Sequence, residues 1–208
     1  MSPPTRAAGP LRHLALGDSY TIGEGVPEAG RWPVQLAQRL TAEGITLAPP
    51  RIVATTGWTT DELAAGMDEA QLAPAYHLVS LLIGVNNQYR GRSAEEYIAQ
   101  FDQLLARAVT LAGDRPGRVL VVSIPDWGVT RFARERGHDA AVIGAALDRF
   151  NALARAAAEA AGVAFVDITD LSRAHPEELA GDGLHPDARQ YARWCERIAP
   201  VAGAALAA

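Results

Sequence analysis

Short, mostly apolar runs rich in leucine and β-branched residues alternate along this chain with longer stretches whose apolar positions recur at helical spacing. The runs at 13–17, 51–54, 78–83, 119–124 and 163–168 have the length and character of strands covered on both faces. Between them, 32–43, 61–71, 94–112 and 140–161 read as helices, and a closing helix at 187–206 follows Pro186. In the fourth of these, Leu147, Phe150, Leu153 and Ala154 form an i, i+3, i+6, i+7 stripe, which predicts a core-facing side. Gly44, Gly113 and Gly162 stand where three of the helices must end before the next strand, positions suited to a C-terminal cap. The alternation predicts βαβ units around a parallel sheet, a three-layer α/β architecture. With no repeat, low-complexity linker or composition break, one domain is expected over 11–208, preceded by a flexible segment at 1–10. Ligands of such sheets gather at the carboxyl ends of the strands, so chemistry should be sought in the loops that follow them.

Composition narrows the partners. A chain of 208 residues, 49% hydrophobic, can bury one sizeable core. Its net charge of -5 comes from 24 acidic and 19 basic residues spread along the sequence, without the basic stripe that nucleic acid requires. Cys195 is the single cysteine, which excludes an intramolecular disulfide and a cysteine metal site. Segment 1–10 holds three prolines and one arginine but no apolar run of signal-peptide length, and the largely apolar stretch 78–85 is too short to span a bilayer. The expectation is a soluble, cytoplasmic protein without integral membrane association.

Two clusters offer chemistry. The first strand opens into Gly17-Asp18-Ser19-Tyr20, which holds a serine hydroxyl at the sheet edge. Taken alone, Asp18 or Ser19 capping the next turn is an equally good account. Near the other end, Asp182-Gly183-Leu184-His185-Pro186 sets a carboxylate and an imidazole three residues apart. A carboxylate there fixes the imidazole tautomer and stabilises the cation formed when it accepts a serine proton. A surface Asp-Gly turn with a locally paired histidine is the competing account, and a metal reading lacks a second histidine or cysteine cluster. Donors for an oxyanion are offered by Gly57, in the loop after the second strand, and by the Asn86 side chain, in the loop after the third. Each residue also has an ordinary turn role open to it. All four pieces fall on one predicted edge, which coincidence explains poorly.

Together these residues resemble the SGNH/GDSL hydrolase superfamily, whose four blocks carry Ser, Gly, Asn and His. Gly17-Asp18-Ser19-Tyr20 is similar to the first block, Gly57 within Thr-Gly-Trp-Thr-Thr to the second, Gly84-Val85-Asn86 to the third and Asp182 to Pro186 to the last. The resemblance spans roughly 13–186, with the blocks in the right order. It implies a flavodoxin-like α/β/α fold with five parallel strands in the order 2-1-3-4-5. It further implies Ser19 as nucleophile, Asp182 and His185 as its supporting pair, and the Ser19 amide, Gly57 and Asn86 as the oxyanion hole. Tyr20 departs from the leucine of the family's name. Asn87 replaces the aspartate that many members carry, and Ala54 stands near the place of the asparagine that usually precedes the glycine block.

The expected activity is hydrolysis of carboxylic esters, with small or short-to-medium acyl chains, through an acyl-enzyme and without a cofactor. Thioesters, lysophospholipids and acetylated carbohydrates would serve the same triad. A non-catalytic flavodoxin-like binding module is the alternative from another class, although no Gly-x-Gly-x-x-Gly or P-loop follows the first strand. Trp127, in the loop after the fourth strand, and Tyr89, Arg90 and Trp58, beside the Asn86 and Gly57 blocks, are candidates to line a substrate pocket. His13 and His77 read as structural, His138 as part of a solvated charged loop, and His175 as a neighbour of the last block.

Overall fold

In the computed structural model, which describes residues 9–207, the five apolar runs become five strands of one parallel sheet. The flexible segment expected at 1–10 falls outside the described residues except for residues 9 and 10. In chain order the elements are β1 (His13–Gly17), α1 (Ser19–Ile22), α2 (Trp32–Ala42), β2 (Arg51–Ala54), α3 (Thr60–Glu69), β3 (Leu78–Leu82) and α4 (Val85–Tyr89). There follow α5 (Ala94–Leu111), β4 (Val119–Val122), α6 (Arg131–Glu135), α7 (Ala140–Ala160), β5 (Ala164–Val166), α8 (Thr169–Ala174) and α9 (Ala188–Ala207).

Three of the long helices start where side chains satisfy their first amides. Thr59 and Glu62 form a capping box on α3, Ser93 accepts the Glu96 amide at the head of α5, and Asp139 accepts those of Ala141 and Val142 on α7. After α2, α5 and α7, Gly44, Gly113 and Gly162 take φ values of 93, 72 and 69°, as their placement after the periodic stretches predicted.

The sheet order is β2-β1-β3-β4-β5. From β1 the chain moves outward to β2, then crosses back to β3 and continues to β4 and β5. Because such crossovers are right-handed, α2 lies on one face and α3, α5 and α7 lie on the other. The packing agrees: α9 lies along α2, while α3 meets α5 and α5 meets α7. β1, β3 and β4 are wholly buried between these layers, and the edge strands β2 and β5 only in part. The stripe on α7 is core, with Leu147, Phe150 and Ala154 buried and Leu153 packed against the same cluster.

β3, β4 and β5 stop earlier than their apolar runs, and the residues beyond them turn toward the sheet edge. There the structure places short helices, α1 after β1 and α4 after β3, in what read as turns. No helix among the described residues is long and apolar enough to cross a membrane.

Candidate active site

The turn after β1 satisfies both accounts of its sequence at once. Asp18 caps α1, its Oδ1 accepting the Tyr20 amide at 3.0 Å, while Ser19 is the first residue of the helix. An amide at that position has no partner within the helix, so the Ser19 N–H and hydroxyl remain available together. The turn is tight. A Cβ at Gly17 would collide with the Thr21 side chain and the Leu82 carbonyl, which is why the strand must end on glycine.

The last block forms a second turn on the same edge. Asp182 Oδ1 accepts the amides of Leu184 at 2.9 Å and His185 at 3.1 Å, and Oδ2 lies 2.6 Å from His185 Nδ1. Gly183, at φ 71°, allows the chain to fold back under the carboxylate. Burial pushes the Asp182 carboxyl up, but the hydrogen bonds from the His185 ring and from the two amides outweigh it and hold the group below the usual carboxylate range. The turn is anchored from outside: Arg131 donates to the Gly181 carbonyl, Phe132 to that of Gly183, and Ala180 to that of His185. With Nδ1 held by the carboxylate, the imidazole presents Nε2 as its acceptor. The Tyr20 ring lies against this imidazole, centroids 5.7 Å apart.

Asn86 comes from the first turn of α4, preceded by Gly84 at φ 128°. Its Nδ2 donates to the Trp58 carbonyl at 2.9 Å, which fixes the side chain and leaves the second N–H of the amide free. The same bond ties Asn86 to the Gly57 loop. Gly57, at φ 89°, is held there by Arg90, which donates to its carbonyl at 2.6 Å and also meets Glu62. Arg90 thus braces the loop and does not line the cleft. Asn87, in the place of the family's frequent aspartate, is buried; its Oδ1 accepts the Thr60 amide and its Nδ2 donates to the Thr60 hydroxyl. A neutral amide therefore holds this loop to the start of α3.

Ser19, Asn86 and His185 line one cleft of about 170 Å³, together with Tyr20, Val85, Tyr89, Trp127, Phe132 and Leu184. Tyr89 and Trp127, two of the candidates for a substrate pocket, thus line the same cleft. Trp58 does not, its indole lying in the space left by the missing side chain of Gly66 on α3. No hydrogen bond joins Ser19 to His185 among the described residues; this contact commonly tightens only when substrate is bound.

Phe132 lines the cleft and His138 packs beside it against the Trp127 ring, and neither is legible in the sequence as a neighbour of the site. Both sit in a run of charged residues that reads as solvated loop, yet His138 lies 5.1 Å from the Trp127 ring and 6.5 Å from that of Phe132. The only local signal is Thr130, whose hydroxyl caps α6. The other histidines stand apart. His13 is buried on Ser80, burial pushing its pKa down to about 4, and His77 accepts the Arg12 amide. His175 does not line the cleft. With Glu177 and Glu178 it forms a cluster within 4.8 Å, but Glu178 is already clasped by Arg193 through three hydrogen bonds.

The GDSL-like lipase/acylhydrolase family model matches residues 15–193. The chain belongs to this family. It is a carboxylic ester hydrolase. No curated protein is matched by its sequence. Among solved structures, TesA is similar at a TM-score of 0.71 and 18% identity, over 91% of this chain and 97% of that one. LAE5, an α/β hydrolase from the metagenome of Lake Arreo, is similar at 0.66 and 24% identity, over 97% and 98%. An extracellular lipase from Streptomyces rimosus is similar at 0.67 and 21%, over 92% and 97%. These likenesses establish the fold shared with the family, a five-stranded parallel sheet flanked by helices.

Proposed function

We propose that this family member opens carboxylic esters of small or short-to-medium acyl groups through an acyl-enzyme on Ser19. The observation that carries this reading is the 2.6 Å contact between His185 Nδ1 and Asp182 on the edge of a cleft that Ser19 and Asn86 also line. His185 Nε2 takes the Ser19 proton as Oγ attacks the ester carbonyl. The oxyanion is held by the Ser19 and Gly57 amides and the free N–H of Asn86. The alcohol leaves with the proton from His185, and water, deprotonated by the same imidazole, releases the acid. None of these steps calls for a cofactor, and the small apolar cleft suits a short chain better than a long one.

Purified Ser19→Ala protein is expected to keep its fold and lose ester turnover by several orders of magnitude, measured on short and long acyl esters. Asn86→Ala is expected to lose about 100- to 1000-fold in kcat, the usual range for one oxyanion donor. Unchanged turnover by Ser19→Ala would sink the assignment. Acyl thioesters, lysophospholipids and acetylated sugars in the same panel separate the related activities. Failure of a fluorophosphonate probe to label Ser19 in folded protein would favour a binding module instead.

A further inference from the structure

The cleft is walled by an assembly of rings, of which Tyr20 and Trp127 also belong to the buried core while Tyr89 is exposed and Phe132 only partly buried. Of the residues lining it, Tyr20, Tyr89, Trp127 and Phe132 are aromatic, in a chain only 6% aromatic overall. Trp127 is the hub. Its ring meets Tyr89 edge to face at 5.3 Å, Phe132 at 6.4 Å and His138 at 5.1 Å. Its indole N–H donates to Gln88 at 2.8 Å, which fixes the plane of the ring, and Arg136 sits 4.1 Å over the Phe132 ring. Tyr89 is 51% exposed, one of two exposed large hydrophobic side chains among the described residues, so core burial does not account for it. Apart from His185 no ionisable group other than the tyrosine phenols lines the cleft, which makes the group received there an uncharged one.

We infer that the cleft selects esters carrying a planar aromatic ring close to the scissile bond, with Tyr89, Trp127 and Phe132 as the specificity-determining residues. The inference rests on the proposed ester hydrolysis at Ser19. Its physical basis is that an aromatic ligand adds edge-to-face and offset-stacking contacts beyond what area burial alone supplies, whereas a saturated ring of nearly the same size adds only area. A wall in which Trp127, pinned by Gln88, contacts both Tyr89 and Phe132 offers those contacts with less ordering left to do on binding.

The test compares two pairs of esters in which the ring is held one methylene away, so that the carbonyls within a pair are nearly equally reactive. Methyl phenylacetate against methyl cyclohexylacetate probes the acyl side. Benzyl acetate against cyclohexylmethyl acetate probes the alcohol side. In at least one pair, kcat/KM is expected to favour the aromatic ester by about tenfold, the size of one or two aromatic contacts. Phe132→Leu and Tyr89→Leu, both at partly or largely exposed positions and each checked for fold by circular dichroism, are expected to cut that ratio to about twofold or less. Hydrolysis that depends on Ser19 but shows ratios near one in both pairs overturns the inference and leaves the proposed function standing. A preference unchanged in both folded variants overturns it as well, because the wall would then not be its source. If none of the four esters is hydrolysed while a short-chain p-nitrophenyl ester is turned over at Ser19, the inference fails alone; if that ester is not turned over either, the proposed function fails and the inference with it.

Discussion

Asp18 and Asp182 stand on the same edge of the sheet and make the same turn, yet their second carboxylate oxygens meet opposite fates. Each uses Oδ1 to accept the amide two residues ahead, Tyr20 in one case and Leu184 in the other. Asp182 then offers Oδ2 to the His185 ring, while its side chain keeps 40% of its surface exposed. Asp18 is fully buried, and its Oδ2 has no hydrogen-bond partner among the described residues. Burial accordingly pushes the Asp18 carboxyl up to about 7 against the pull of the Tyr20 amide, whereas Asp182 is held below the ordinary range. Near neutral pH one aspartate is a charged orienter of an imidazole and the other is poised to lose its charge. What separates them is their surroundings: a solvent-edged turn with a ring nitrogen in reach, against a closed corner between β1 and α1.

Replacing Asp182 is the harshest way to probe that contrast. An asparagine in its place would keep the Oδ1 bonds of the turn but direct an N–H toward His185 Nδ1, forcing that nitrogen to accept. The proton would then sit on Nε2, the atom that in the proposed mechanism receives it from Ser19. Asp182→Asn is expected to lower kcat by about 10³- to 10⁴-fold with little change in KM or in stability, the size seen when a triad carboxylate loses its tautomer control. Steady-state kinetics on a short acyl ester decide the matter. A loss of less than tenfold would make Asp182 a turn former like Asp18.

The difference between the two aspartates was only half legible in the sequence. The apolar runs located all five strands, because each is mostly apolar in sequence, and glycine placement marked the ends of α2, α5 and α7. The strand order came from family resemblance, since pairing is decided by contacts that no local pattern records. The short helices α1, α4, α6 and α8 escaped, because four to six residues span too little of a helical period to declare it. Asp18 as cap and Ser19 as free hydroxyl had been alternatives; the helix that starts between them makes both true. Trp58 and Phe132 show the same limit from the other side. A tryptophan beside the glycine block went into the gap above Gly66, and a phenylalanine among arginines came to the cleft. Both outcomes depend on residues distant in sequence.

The smaller and more delicate test concerns the charge on Asp18. Its pKa is raised from 3.8 unfolded to about 7 folded, so the folded state binds more protons between those values. The stability this confers is fully present below about pH 4 and is lost as pH rises through about 7. His13, lowered from 6.5 to about 4, works in the opposite sense, its contribution being lost as pH falls through that window. The two trends oppose each other, so the pH profile of the wild-type protein alone cannot isolate Asp18. A difference between proteins can, because His13 is common to both. Asp18→Asn keeps the acceptor for the Tyr20 amide and cannot ionise. Measured by urea unfolding from pH 4 to 8, it is expected to gain stability relative to the wild type by a few kcal/mol in total as pH rises, with the gain levelling off once wild-type Asp18 is ionised. A flat difference would mean that Asp18 is charged and compensated at every pH in that range. The contrast with Asp182 would then reduce to exposure alone.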